Sequence, residues 1–80
     1  MNNNQEILVS FGQAVQELRI ERGLSQEGLA AVVGMHRTYI SDVERGTRNT
    51  SLMNAEKIAA GLNVRLSDLI KIAEAEIEEI

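Results

Sequence analysis

An all-α fold of five short helices is what this 80-residue sequence predicts. Three observations carry that reading. Apolar residues recur at three- and four-residue steps in five successive windows, the mark of helices that each bury one stripe. The windows are punctuated by helix signals, with Gly23, Gly34, Gly46 and Asn63 as stops and Ser25 and Ser51 as caps. No stretch of useful length alternates apolar and polar residues in the manner of a half-buried strand.

Met1 to Asn4 reads as a polar, frayed lead-in, and Asn3 with Glu6 has the spacing of a capping box that opens helix 1. Ser10 with Gln13 is a weaker alternative start. Ile7, Leu8, Phe11, Ala14 or Val15, Leu18 and Arg22 recur at three- and four-residue steps, and Gly23 suits the left-handed position after the last turn. Gly12 lies inside this helix at a cost of about 1 kcal/mol relative to Ala. Helix 2 spans Gln26 to Val33 behind an N-cap at Ser25, with Leu29, Ala30 and Val33 inward. Only Gly34, Met35 and His36 separate it from helix 3, Arg37 to Arg45, so the two cross steeply as a helix-turn-helix. Helix 4 starts after Ser51 or Thr50 and carries Leu52, Ala55, Ile58, Ala59 and Leu62 on its inner face. Asn63 ends it, and Ser67 is expected to cap helix 5 with Asp68 near the positive end of the helix dipole.

One domain covers residues 1–80, small enough to bury only about 60% of its unfolded surface. Phe11 and Tyr39 are the two aromatic residues, so the core must be aliphatic. Without cysteine there is neither disulfide nor thiolate metal site, and a single His makes any metal site improbable. No apolar run approaches the roughly 20 residues of a membrane span, and no signal peptide is evident, which suits a cytoplasmic, nucleoid-associated protein. No cofactor is expected.

The formal charge of −4 is unevenly placed. Through Arg65, seven acids balance seven bases; beyond it, Asp68, Glu74, Glu76, Glu78 and Glu79 oppose Lys71 alone. Residues 36–49 are locally positive, three arginines against Asp42 and Glu44. Screening limits charge effects to about 8–10 Å at physiological salt, so this local sign outweighs the total for any anionic partner.

Helix 3 holds its apolar residues, Ile40 and Val43, on one side. Arg37, Thr38, Ser41, Asp42 and Arg45 occupy the other, followed by Gly-Thr-Arg-Asn. Forked cations beside small hydroxyls on a short helix suit the major groove of DNA, although charged helix faces are also common as plain solvated surface. Helix 5 has apolar residues in excess: Leu66, Ile70, Ala73, Ile77 and Ile80 step as a heptad seam, flanked by Leu69 and Ile72. Residues 66–80, through Leu66, Leu69, Ile70, Ala73 and Ile77, are therefore expected to contribute to a two-fold dimer interface.

Leu24-Ser-Gln-Glu-Gly-Leu-Ala30 and Tyr39-Ile-Ser-Asp-Val-Glu-Arg-Gly46 resemble the Xre-type helix-turn-helix family of phage repressors, with its lambda-repressor-like DNA-binding domain. His36-Arg-Thr-Tyr-Ile-Ser and Glu44-Arg-Gly-Thr-Arg-Asn49 resemble, within it, the controller proteins of restriction–modification systems. Gly28 departs from the family's usual acid, removing the reciprocal half of a capping box with Ser25 at a cost of about 1–2 kcal/mol.

The resemblance implies a homodimeric, sequence-specific regulator of transcription on an inverted-repeat operator in double-stranded DNA. Arg37, Thr38 and Ser41 are the expected base readers, with Asp42 either a fourth reader or a brace for a neighbouring arginine. Expected at the DNA backbone are Ser25 and Gln26 at the start of helix 2, His36 as N-cap or phosphate contact, Tyr39 at the flank, Arg45, and the post-helix group Thr47, Arg48, Asn49 and Asn54. Glu44 is expected to turn inward onto Arg19 in a structural ion pair that orients helix 3. RNA polymerase is a candidate further partner of such a regulator. A phage-type repressor and an antitoxin-like regulator are alternatives of the same kind, and a dimeric helical protein-interaction adaptor is one of a different kind. An enzyme is not expected, since there is no nucleophile–base pair, carboxylate dyad or phosphate-binding glycine loop.

Overall fold

The aliphatic stripes decide how the helices assemble. The computed structural model describes residues 4–78, with side chains from 6 to 77. Five helices follow in order: α1 Asn4–Glu21, α2 Gln26–Val33, α3 Arg37–Arg45, α4 Leu52–Gly61 and α5 Leu66–Glu78. Among the described residues there is no strand, and no helix is long and apolar enough to cross a membrane. The Asn3 half of the expected capping box and the Ile80 end of the heptad seam lie outside the described residues.

Phe11, Val15 and Leu18 of α1 meet Leu29, Ile40, Val43, Ile58, Leu62 and Leu69 in one continuous core. α1 is the central strut, packed chiefly against α5 and α3, while α2 leans on α3 and α4. α2 is capped as its sequence requires: the Ser25 hydroxyl accepts from Gly28 N–H at 2.8 Å. It ends at Gly34 with φ 73°, and Met35 N–H then donates to the Ala30 carbonyl at 2.9 Å, which turns the chain sharply into α3. Ser51, rather than Thr50, caps α4 by accepting from Asn54 N–H at 3.1 Å. Asn63 takes the left-handed conformation at φ 66°.

Three expectations are corrected. α5 begins at Leu66, so Ser67 lies inside its first turn and Arg65 takes the capping position, its carbonyl accepting from Leu69 N–H at 3.1 Å. Burial of Leu69 and partial burial of Leu66 set that start, overriding the local preference of a serine hydroxyl. Leu52 is not an inner residue: it is 76% exposed, because the core ends at Ala55 and the α4 stripe runs one turn past it. Leu69 and Ala73 are fully buried in their own chain and have no surface left for a partner, which leaves Leu66, Ile70 and Ile77 of the expected interface at least partly accessible.

Gly12 is the residue that lets α3 approach α1. A Cβ there would lie 2.2 Å from the Val43 carbonyl oxygen and 2.7 Å from that of Glu44, both backbone atoms. Gly46, at the end of α3, is seated likewise against the backbone of Val9, 2.8 Å from where its Cβ would stand. The helix-propensity cost of Gly12 is thus the condition for a close helix crossing. Gly12→Ala is expected to lower stability by about 2 kcal/mol, the cost of overpacking exceeding the gain in propensity. Urea unfolding at fixed protein concentration tests it; a midpoint raised in line with propensity alone would contradict the close crossing.

Candidate nucleic-acid interface

α3 is fixed from behind by an ion pair that joins three helices. Ile40 and Val43 dock it on the core, and Glu44, buried beside them, receives Arg19 in a two-point contact. Arg19 Nε donates to Glu44 Oε2 at 2.6 Å and Nη2 donates to Oε1 at 3.1 Å. Arg19 Nη1 also donates to the Leu24 carbonyl at 2.8 Å, and Gln26 Nε2 donates to Glu44 Oε1 at 3.0 Å. The set ties α1, the α1–α2 turn, α2 and α3 together, and it satisfies a buried acid that would otherwise stand uncompensated. Hydrogen bonding with Glu44, aided by its charge, raises the Arg19 pKa above its ordinary value, with burial opposing.

The opposite face of α3 is open. Arg37 and Thr38 are exposed at its N-terminal end, and Arg37 makes no hydrogen bond or ion pair among the described residues. Ser41 and Asp42 are half-buried one turn on. Arg45 donates through Nη1 to Ser41 Oγ at 2.7 Å and through Nη2 to Asp42 Oδ1. Arg48 Nη2 donates to Asp42 Oδ2 at 3.2 Å. Asp42 therefore braces two arginines, whereas Arg37 stands clear of it.

The segment after α3 is built onto the same face. Gly46 closes the helix at φ 76°, and Thr47 N–H donates to the Asp42 carbonyl at 3.0 Å, as does Thr47 Oγ1 at 3.2 Å. The Arg48 guanidinium lies 4.8 Å from the centroid of the Tyr39 ring, within cation–π range. Asn54 Nδ2 of α4 donates to the Tyr39 hydroxyl at 3.0 Å. Tyr39, Arg48 and Asn54 thus form one group at the flank, with Thr47 and Asn49 exposed beside it.

Gln26 and His36, both expected at the DNA backbone, stand at the N-terminal ends of the two helices. One Gln26 Nε2 hydrogen is given to Glu44, which leaves the amide its second donor, and Ser25 beside it is exposed. His36 sits at the N-cap of α3, but its side chain makes no capping hydrogen bond, and it is exposed. Sequence reasoning missed the Tyr39–Asn54 bond and the Arg48–Tyr39 stack, which join residues far apart in the chain. The Ser41–Asp42–Arg45 cluster had a local signal, since spacings of three and four put those side chains on one helix surface.

Fold and geometry together define a helix-turn-helix protein, with α2 and α3 as the motif and the outer face of α3 as its free surface. A family model described as helix-turn-helix matches residues 15–69, and the chain belongs to that family. It is 52% identical over 71 residues to control protein C.BamHI of Bacillus amyloliquefaciens, a match that covers 88% of this chain and 85% of the relative. It is also similar to the solved restriction–modification controller protein C.AhdI of Aeromonas hydrophila, with 50% identity, a TM-score of 0.76, and coverage of 78% of this chain and 94% of the other. The controller protein C.Esp1396I, solved as a tetramer in complex with its natural 35 base-pair operator, superposes with a TM-score of 0.81 at 34% identity, covering 89% of this chain and 93% of that one.

The ion pair is expected to behave as a unit. Arg19→Met strands a charged Glu44 whose side chain is only 3% exposed, and the loss should reach about 3–5 kcal/mol. Adding Glu44→Leu should recover a large part of it. Thermal and urea unfolding of the unsubstituted chain, the single and the double variant checks this; a double variant no more stable than Arg19→Met would contradict it.

Proposed function

We propose that this chain is a controller protein of a restriction–modification system, binding double-stranded operator DNA as a homodimer and regulating transcription. The carrying observation is the unencumbered Arg37 at the N-terminal end of a helix clamped to its domain by Arg19–Glu44. A guanidinium there matches the O6 and N7 acceptors of guanine, with Thr38 and Ser41 short enough for close approach to neighbouring base edges. Arg48, Thr47, Asn49 and the start of α2 flank that edge where backbone phosphates would run. The similarity to controller proteins, one of them solved on its operator, supports the reading.

A single α3 spans about one half-site, so useful specificity requires two, set about 34 Å apart in successive major grooves of an inverted repeat. An apolar surface suits the partner copy. A mainly apolar groove of about 340 Å³ opens between the N-terminal part of α1, the start of α4 and α5, lined by Ile7, Leu8, Phe11, Leu52, Ala55, Leu66 and Ile70, with Asn49 and Thr50 at one side. Leu52, which lines the groove, is 76% exposed, and its neighbour Met53 is 71% exposed, so this part of the chain leaves large apolar side chains in water. This surface supports a dimer interface that takes in α4 and α1 as well as the accessible part of α5.

Selection of bound fragments from a random DNA pool tests the function, yielding an inverted repeat if two copies read it. Absence of salt-sensitive binding at micromolar protein would favour a protein-interaction adaptor. Arg37→Ala is expected to weaken binding to the recovered site by about 1–3 kcal/mol and to relax one base position per half-site. Unchanged preference would remove Arg37 from the reading edge. Leu52→Glu should raise the dimer dissociation constant at least about tenfold while leaving helicity intact, measured by sedimentation equilibrium. An unchanged constant would move the interface elsewhere.

A further inference from the structure

We propose that Asp42 is a positioning residue that sets specificity: one carboxylate holds Arg45 and Arg48 and offsets their attraction for phosphate, keeping sequence-independent binding weak. The inference rests on the DNA-binding reading above.

Residues 36–49 contain three arginines and two acids. Glu44 is turned inward onto Arg19 and Gln26, so Asp42 is the acid that remains on the open face. Both of its oxygens are engaged, Oδ1 by Arg45 and Oδ2 by Arg48. Its side chain is 21% exposed, against 60% for Arg45 and 46% for Arg48, so the acid is sunk between two outlying cations. Each guanidinium is held by a second contact, Arg45 by Ser41 Oγ and Arg48 by the Tyr39 ring. With five N–H donors apiece, both arginines keep donors for solvent or phosphate while their planes are fixed.

A DNA backbone approaching at random meets two cations already balanced in part by a carboxylate, which itself repels phosphate. Where the sequence lets Arg37 seat in the groove, the phosphates are held in register with the pre-placed donors and compete with Asp42 effectively. Arg37, free of Asp42, keeps its full charge for base edges. Asp42 therefore penalises non-specific contact more than specific contact.

Asp42→Asn removes the charge at nearly constant shape, and Asp42→Ser is a second variant should the first fold poorly. Affinities of the full chain are measured by fluorescence anisotropy across a salt series, on a duplex recovered from the random pool and on a scrambled duplex of equal composition. The scrambled duplex should bind about five- to tenfold tighter near physiological salt, with a salt slope steeper by about one. The recovered duplex should gain much less, so the preference falls at least about threefold. Asp42→Glu should restore weak scrambled binding, and in an Arg45→Ala/Arg48→Ala background Asp42→Asn should change it less than about twofold. A preference and salt slope unchanged in Asp42→Asn would overturn the proposal. So would an equal gain in the arginine-free background, which would make the effect one of net charge alone. Loss of preference at one base position with unaltered scrambled binding would overturn it as well, making Asp42 a base reader. Failure of the unsubstituted chain to bind either duplex would overturn the DNA-binding reading along with it.

Discussion

The contact between Arg19 and Glu44 is the constraint on which the rest of this structure depends. A helix of nine residues has little stability of its own, and α3 fully buries only Ile40, Val43 and Glu44. Two aliphatic side chains fix how deep such a helix sits but leave its rotation about its own axis loosely held. The planar guanidinium meeting a carboxylate at two points removes that freedom, because both N–H···O bonds survive only at one orientation. Gln26 and the Leu24 carbonyl extend the constraint into α2 and the preceding turn, so the two helices of the motif are held in mutual register.

That clamp explains how an acidic chain carries a cationic edge. Among the described residues no acid pairs with Arg37, since Glu44 is consumed internally and Asp42 is engaged by Arg45 and Arg48. Glycine completes the arrangement. Without a side chain at positions 12 and 46, the backbone of α3 can lie directly on α1, and the ion pair can be short because the helices are close. Charge, packing and loop structure converge on one outcome, a short helix whose outer face is free and whose inner face is not.

Much of this is legible in the residues themselves. α2 and α3 appear over the residues that their caps and glycines indicate, because Ser25, Gly34 and Gly46 act locally and nothing in the fold opposes them. Where tertiary packing decides, local signals mislead. Ser67 looks like a cap, yet burial of Leu69 starts α5 two residues earlier than a cap there would. Leu52 continues the α4 stripe by periodicity, but periodicity carries no information about where a core ends. The heptad seam of α5 likewise cannot reveal which of its members its own domain absorbs, and Leu69 and Ala73 are absorbed completely. At the candidate interface, residue types and spacing single out Arg37, Thr38 and Ser41. The stack of Arg48 on Tyr39 and the bond from Asn54 join separate segments, which only the folded chain brings together.

The central claim is that α3, held by Arg19–Glu44, presents Arg37 to guanine in the major groove. Methylation interference on a selected duplex tests it most directly, since dimethyl sulfate modifies guanine N7 within that groove. Interference is predicted at one guanine in each half-site, symmetric about a dyad and about one helical turn apart. The same positions should become insensitive when Arg37 is replaced by Ala. Interference confined to adenine N3 in the minor groove, or guanine signals that persist unchanged without Arg37, would contradict it.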